Sequence, residues 1–292
     1  VYANAAAPTF AAADMTKVIQ NIDALTSSLN STGVAGSGDG YWANFSSNNN
    51  ISNEIIFSGK NSRGGEGGGI QSRWRMGTHY NQTPGGWNGF TSVAEFYNTF
   101  SATDKRAKYS TPAIISSIGN PVGLNIGQMY APGGVTPLKD RNGAPLVYTA
   151  ELTLITGGAT LETAGIRGMK YIPDAANLDA PDNDYVLMRH SDALLMKAEA
   201  ILRGGSGSIG TALSDIATRV GATAPANTLD GIYAERDREL WFEGWRRNDM
   251  IRFGKFLSAR ALKPSTSDVK YLLYPIPADA LFNQNLKQNP GY

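Results

Sequence analysis

Residues 235–256 read ERDRELWFEGWRRNDMIRFGKF, and this stretch limits the possible folds more than any other. Glu235, Glu239 and Glu243 fall one helical turn apart, so their carboxylates share a face. Arg236, Arg238, Arg246, Arg247 and Arg252 lie within reach of those acids. Trp241, Phe242 and Trp245 alternate with the charges. That mixture describes a buried helix whose ions neutralise one another. The expected structural ion-pair network joins Glu235, Arg236, Glu239, Glu243, Arg246, Arg247 and Asp249 with Arg189. Two other readings compete. A glycosidase needs two carboxylates roughly 5–9 Å apart across a sugar. Guanidinium neighbours hold carboxylates ionised, which suits a nucleophile but not a general acid. A phosphate site at Arg246–Arg247 lacks the glycine pattern of a phosphate-binding loop.

The remaining 270 residues supply enough apolar surface for a sizeable core: 41% of the chain is hydrophobic and 17% charged. A net charge of +1 gives no bulk field for nucleic acid or a membrane surface. The chain has no cysteine, so disulfides, thiolate zinc sites and cysteine nucleophiles are excluded. His79 and His190 are the only histidines, and neither has the neighbours of a metal site or a catalytic triad. No cofactor motif stands out; GEGGGI at 65–70 lacks the flanking strand and helix of a nucleotide loop. No apolar run approaches the roughly 20 residues of a membrane-spanning helix. The N-terminus shows no signal peptide and reads as though a longer protein had been cut.

Periodicity predicts a helix over 12–29, a loop from Gly33 to Gly40 and a strand-like burst at 53–59. A short helix is expected at 92–100. Residues 110–183, rich in Pro, Gly and Thr, predict loops and a hairpin or two, with a β-prone piece at 146–155. Residues 184–205 read as the clearest helix, stopped by Gly204–Gly205. A second helix at 209–221 completes an αα-hairpin. Residues 229–257 read as one long helix broken near Gly244, and the proline-containing tail as extended. Trp42, Trp241 and Trp245 are expected in the core.

Three of these segments carry a resemblance. YVLMRHSDALLMKAEAILRGG, ERDRELWFEGWRRNDMIRFGKF and YLLYPIPADALFNQNLKQNPGY resemble successive motifs of the SusD/RagB family, in order and spacing. YWANFSSNNNISNEIIFSG and GWNGFTSVAEFYNTFSATDKR are similar to pieces found upstream in that family. One departure is local: Ser214 and Ala217 stand where the family has Asn and Arg, while Arg219 keeps the last position of that run. The resemblance implies a mainly α fold, a tetratricopeptide-like helical framework with long irregular loops and a few short strands. It implies a single domain over 1–292, the C-terminal part of a longer precursor. Its loop-rich ligand region would span about 30–183 and its helical framework about 184–262. It further implies a non-enzymatic lipoprotein at the outer-membrane surface of Bacteroidetes-type bacteria. Such a protein captures glycans, or sometimes peptides, and lies over a SusC-like TonB-dependent transporter. The lipid anchor would belong to the absent N-terminal part.

Sugars stack their C–H faces on aromatic rings and hydrogen-bond through hydroxyls. The loop QSRWRMGTHYNQTPGGWNG at 71–89 offers both kinds of partner. Trp74, Tyr80 and Trp87 are the candidate platforms; Arg73, Asn81 and Gln82 are the candidate hydrogen-bonding groups. The competing reading is that these rings plug the loop onto the core.

Overall fold

The computed structural model describes residues 9–62, 69–152 and 159–292. Its helices are α1 (Ala12–Asp23), α2 (Asp39–Ala43), α3 (Ser72–Arg75), α4 (Ala94–Tyr97), α5 (Pro112–Ile118), α6 (His190–Leu202), α7 (Ala212–Thr218), α8 (Leu229–Glu239) and α9 (Arg246–Arg252). The strands are short: β1 (Ile55–Gly59), β2 (Lys108–Tyr109), β3 (Val122–Asn125), β4 (Gly127–Gln128), β5 (Val147–Tyr148), β6 (Arg167–Met169) and β7 (Tyr185–Arg189). They form three antiparallel sheets, ordered β1-β7, β2-β3-β6 and β4-β5. The architecture is mainly α, with α6 central and packed against α1, α7 and α8.

Several elements differ from the sequence expectation. The first helix stops at Asp23, not near residue 29. Beyond it the chain must extend, because Ser28 N–H donates to the Asn53 carbonyl and Asn30 N–H to the Glu54 carboxylate. Residues 185–189 are a strand, and the helix begins only at His190. Pairing Ile55 with Arg189 explains this, since it delivers the arginine to Glu54. A helix also stands at 112–118, where only loops and hairpins were expected. Its signals are local: the Thr111 hydroxyl accepts from Ile114 N–H, Pro112 opens the first turn and Gly119 closes the last at φ 75°. The β-prone piece at 146–155 contributes β5; residues 153–155, like 65–68 of the GEGGGI stretch, lie outside the described residues.

The break between α8 and α9 has a local backbone cause. Phe242 at φ 65° and Gly244 at φ 87° both take left-handed conformations. Glycine adopts this freely; phenylalanine does so at a cost, and here its ring lies against Trp241.

The main core gathers Trp42 and Phe45, Trp74, Leu124, Tyr171 and Trp241 from five separate stretches. Trp42 and Trp241 are buried as expected, whereas Trp245 is only half-buried. A second cluster, Leu195, Ala198, Ile216 and Ile232, fills the space between α6, α7 and α8. The loop-rich segment and the helices therefore share a core, and the loops start from fixed points.

Candidate functional site

The charged segment builds frame, not surface. Glu54, Asp104, Glu235, Glu239 and Glu243 connect through Arg106, Lys170, Arg189, Arg219 and Arg238, five acids against five bases. Asp192, Glu199 and Asp249 connect through Arg203, Arg236 and Arg252, three against three. With every member ionised, each group is neutral among the described residues, which is the condition for removing so many ions from water. Glu239 is the hub: it accepts from Arg106 at 2.9 Å, Arg189 at 2.6 Å and Arg219 at 2.5 Å. Burial alone would raise the Glu54 carboxyl, but Arg219 and Arg189 outweigh it and bring it down to about 2. Glu239 is likewise held well below the usual carboxylate range. Burial pushes the Lys170 ammonium down to about 7, against the pull of Glu243. Its Nζ donates to the Trp241 and Glu239 carbonyls at 2.8 and 3.1 Å.

Glu235 and Glu239 have no exposed surface and cannot touch a substrate. Of the expected network, Arg236 and Asp249 fall in the second group, and Arg246 and Arg247 in neither. Among the described carboxylates Arg246 pairs with Asp237, at 2.8 Å, and it also donates to the Tyr233 carbonyl and lies over the Tyr233 ring. Arg247 meets no carboxylate among the described residues. It donates to the Tyr271 and Leu272 carbonyls and lies against the rings of Phe256 and Tyr274, clamping the C-terminal tail.

The loop at 71–89 divides its candidates between core and surface. Trp74 is 0% exposed and packs within the main core, so it is an anchor and not a platform. Trp74→Ala should therefore destabilise the fold by about 3–5 kcal/mol. Thermal melting checks this, and an unchanged midpoint would mean the ring is free. Gln82 is also buried. Its Oε1 accepts from the His79 N–H at 2.8 Å and the Tyr148 hydroxyl at 2.6 Å, which makes it a staple within the loop. Arg73 is committed to Tyr185, donating to its hydroxyl at 2.6 Å and lying over its ring. Asn81 is exposed, and its amide donates to the Lys139 carbonyl.

Tyr80 and Trp87 do reach solvent, at 44% and 55% exposure, and Phe90 joins them at 60%. Backbone bonds from Gly86 N–H to His79 O and from Trp87 N–H to Arg75 O close the loop, so Tyr80 and Trp87 flank one closure point. Beneath them His79 is buried. Its Nδ1 accepts from Asn81 N–H at 3.0 Å, leaving the ring proton on Nε2 to donate to Glu162 at 2.7 Å. Arg141 bonds the same carboxylate and lies over the Tyr80 ring at 4.6 Å.

Beside this face lies a cavity of about 270 Å³ lined by Phe90, Phe96, Leu124, Trp241 and Phe242, with Asp237 and Arg246 among its walls. Apolar rings with a few polar groups make a common ligand setting. Burial pushes the Asp237 carboxyl up to about 6, while Arg246 and Arg238 pull it down. Neither Phe90 nor Asp237 was among the sequence candidates. Phe90 falls one residue past the quoted loop, and Asp237 hid among charges that are otherwise buried. Among the described residues, no acidic or histidine cluster forms a metal site and no helix is long and apolar enough to cross a membrane.

The SusD family model matches residues 35–292. The chain belongs to the SusD family. The starch-binding protein SusD of Bacteroides thetaiotaomicron is 34% identical over 123 residues, 38% of this chain and 22% of that protein. A SusD-like protein from Bacteroides fragilis superposes with a TM-score of 0.64 at 20% identity, over 96% of this chain and 61% of its own. Surface glycan-binding protein A from Bacteroides thetaiotaomicron, in complex with laminarihexaose, superposes with a TM-score of 0.57 at 20% identity, over 95% and 60%. The chain thus spans about three-fifths of the length of these solved relatives. Within the SusD family motif after the AEA helix, Arg219 carries the work, pairing with Glu54 and Glu239. At the two departures Ser214 bonds locally to the Thr211 carbonyl and Ala217 packs in the core.

Proposed function

We propose that this chain binds oligosaccharides without making or breaking bonds, on the Tyr80–Trp87–Phe90 face and in the cavity beside it. The observation that carries this reading is the set of three exposed rings on a loop fixed from below. Rings held in place lose little entropy on binding, which suits stacking on the weakly apolar faces of sugars. Arg246 and Asp237 add a donor and an acceptor for hydroxyls at the cavity wall. The complete burial of Glu235 and Glu239 argues against a hydrolase built on that pair. Family membership supports a place at the outer-membrane surface of the cell, with cargo passed to a TonB-dependent transporter.

Titration calorimetry against neutral polysaccharides, their oligosaccharides and a peptide library tests the proposal. Saccharide binding with no product on prolonged incubation is the expected result. Binding of peptides alone, or any hydrolysis, would overturn it. The cavity also predicts a pH dependence. An ionised Asp237 accepts a sugar hydroxyl more strongly than a protonated one, so affinity should fall as pH drops through about 6. The fixed charges of Arg246 and Arg238, and the acids Asp249 and Glu95, also act on this carboxyl. Asp237→Asn should flatten the profile. A variant that keeps the wild-type profile would show that another group titrates.

A further inference from the structure

We propose that a second cleft, separated from the first cavity by one aromatic wall, binds a sugar residue carrying a carboxylate or sulfate group. The wall is the edge-to-face pair Phe96–Phe100, with centroids 5.1 Å apart. Phe96 lines the first cavity and Phe100 the second. The second cleft has a volume of about 650 Å³, within the range of small-ligand sites. Its walls include Tyr97, Asn98, Phe100, Lys105, Lys108 and Tyr109.

Three features select an anionic sugar. Lys105 and Lys108 are exposed, and neither has an ion-pair partner among the described residues. Of the acids nearby, Asp104, itself in the cleft wall, is neutralised by Arg106 through two oxygens; Asp39 accepts the neutral Tyr109 hydroxyl at 2.7 Å, keeps its charge and is not among the lining residues. Two unpaired lysines against one neighbouring unpaired carboxylate leave the cleft with a net positive charge. It also presents rings, which a simple anion would not need. Finally, the walls are fixed. Trp42 stacks behind Tyr109 at 5.7 Å, its indole N–H donates to the Lys105 carbonyl at 2.8 Å, and Lys105 N–H donates to the Val220 carbonyl at 2.8 Å. Lysine is a compact, strongly hydrated charge on a flexible stem, so it suits an exposed carboxylate or sulfate without demanding one geometry.

This assignment rests on the glycan-binding reading and narrows it to acidic glycans. The test titrates wild type, the double variant Lys105→Ala/Lys108→Ala, and Trp87→Ala with four probes. These are a neutral oligosaccharide, a hexuronate oligosaccharide, a sulfated oligosaccharide and inorganic sulfate. Wild type should bind one acidic oligosaccharide more tightly than the neutral one, and whichever it is identifies the anionic group. The double variant should lose about tenfold or more of that affinity, keep its neutral binding and retain its melting midpoint. Raising the salt should reproduce part of the loss in wild type. Equal loss for neutral and acidic probes would overturn the assignment, as would inorganic sulfate binding as tightly as the acidic sugar. Neutral binding with no acidic preference would remove this assignment alone. Failure of every saccharide to bind would remove the glycan reading with it.

Discussion

Glu239→Gln is expected to collapse the frame, with a loss of about 3–5 kcal/mol. The substitution is nearly isosteric, so the loss is electrostatic. It leaves Arg106, Arg189 and Arg219 sharing the remaining acids, with a net positive charge sealed from water. Domains of ordinary stability hold only about 5–15 kcal/mol in reserve, and the melting midpoint should fall by roughly 10 °C or more. Asp14→Asn is the contrast. Asp14 and Lys17 also form a pair, but both are exposed and 3.7 Å apart. Surface pairs of this kind contribute well under about 1 kcal/mol. Differential scanning calorimetry of both variants separates the two cases. A Glu239→Gln protein that melts like wild type but has lost activity on some substrate would make the acid chemical, not structural.

Trp87→Ala should do the opposite. The ring is more exposed than buried, and its backbone N–H bond to Arg75 does not depend on the side chain. Melting should stay where it is. Affinity for the bound oligosaccharide should fall roughly thirtyfold, about 2 kcal/mol, the loss typical of a principal aromatic contact. Calorimetric titration of the variant decides it. Unchanged affinity would move the site away from this loop.

Much of the frame was legible in the sequence because its signals are local. The every-fourth-residue glutamates and the AEA helix are local repeats, and Gly204–Gly205 and Gly244 mark local stops. The strand at 185–189 was not legible. YVLMR has an apolar pattern that fits either period, and only its pairing with β1 decides between them. The partners of the charged segment were hidden for a related reason. Glu54 and Lys170 each stand alone in the sequence and Asp104 pairs locally with Arg106, and they join the charged segment only when distant stretches meet. Within the loop at 71–89, composition marked the right segment but not the right rings. Trp74 and Trp87 are the same residue type in the same loop. What separates them is that Trp74 sits on one turn of helix facing the core, while Trp87 follows the glycines that carry the chain outward.

The loop closure has a practical corollary. The backbone bonds at Gly86 and Trp87, the buried His79 and the Gln82 staple all hold the loop without using the side chains of Tyr80, Trp87 or Phe90. Those three positions can therefore be rewritten independently of the ion-paired frame. Combinatorial libraries restricted to them offer a route to new cargo preferences on an unaltered scaffold, in evolution as at the bench.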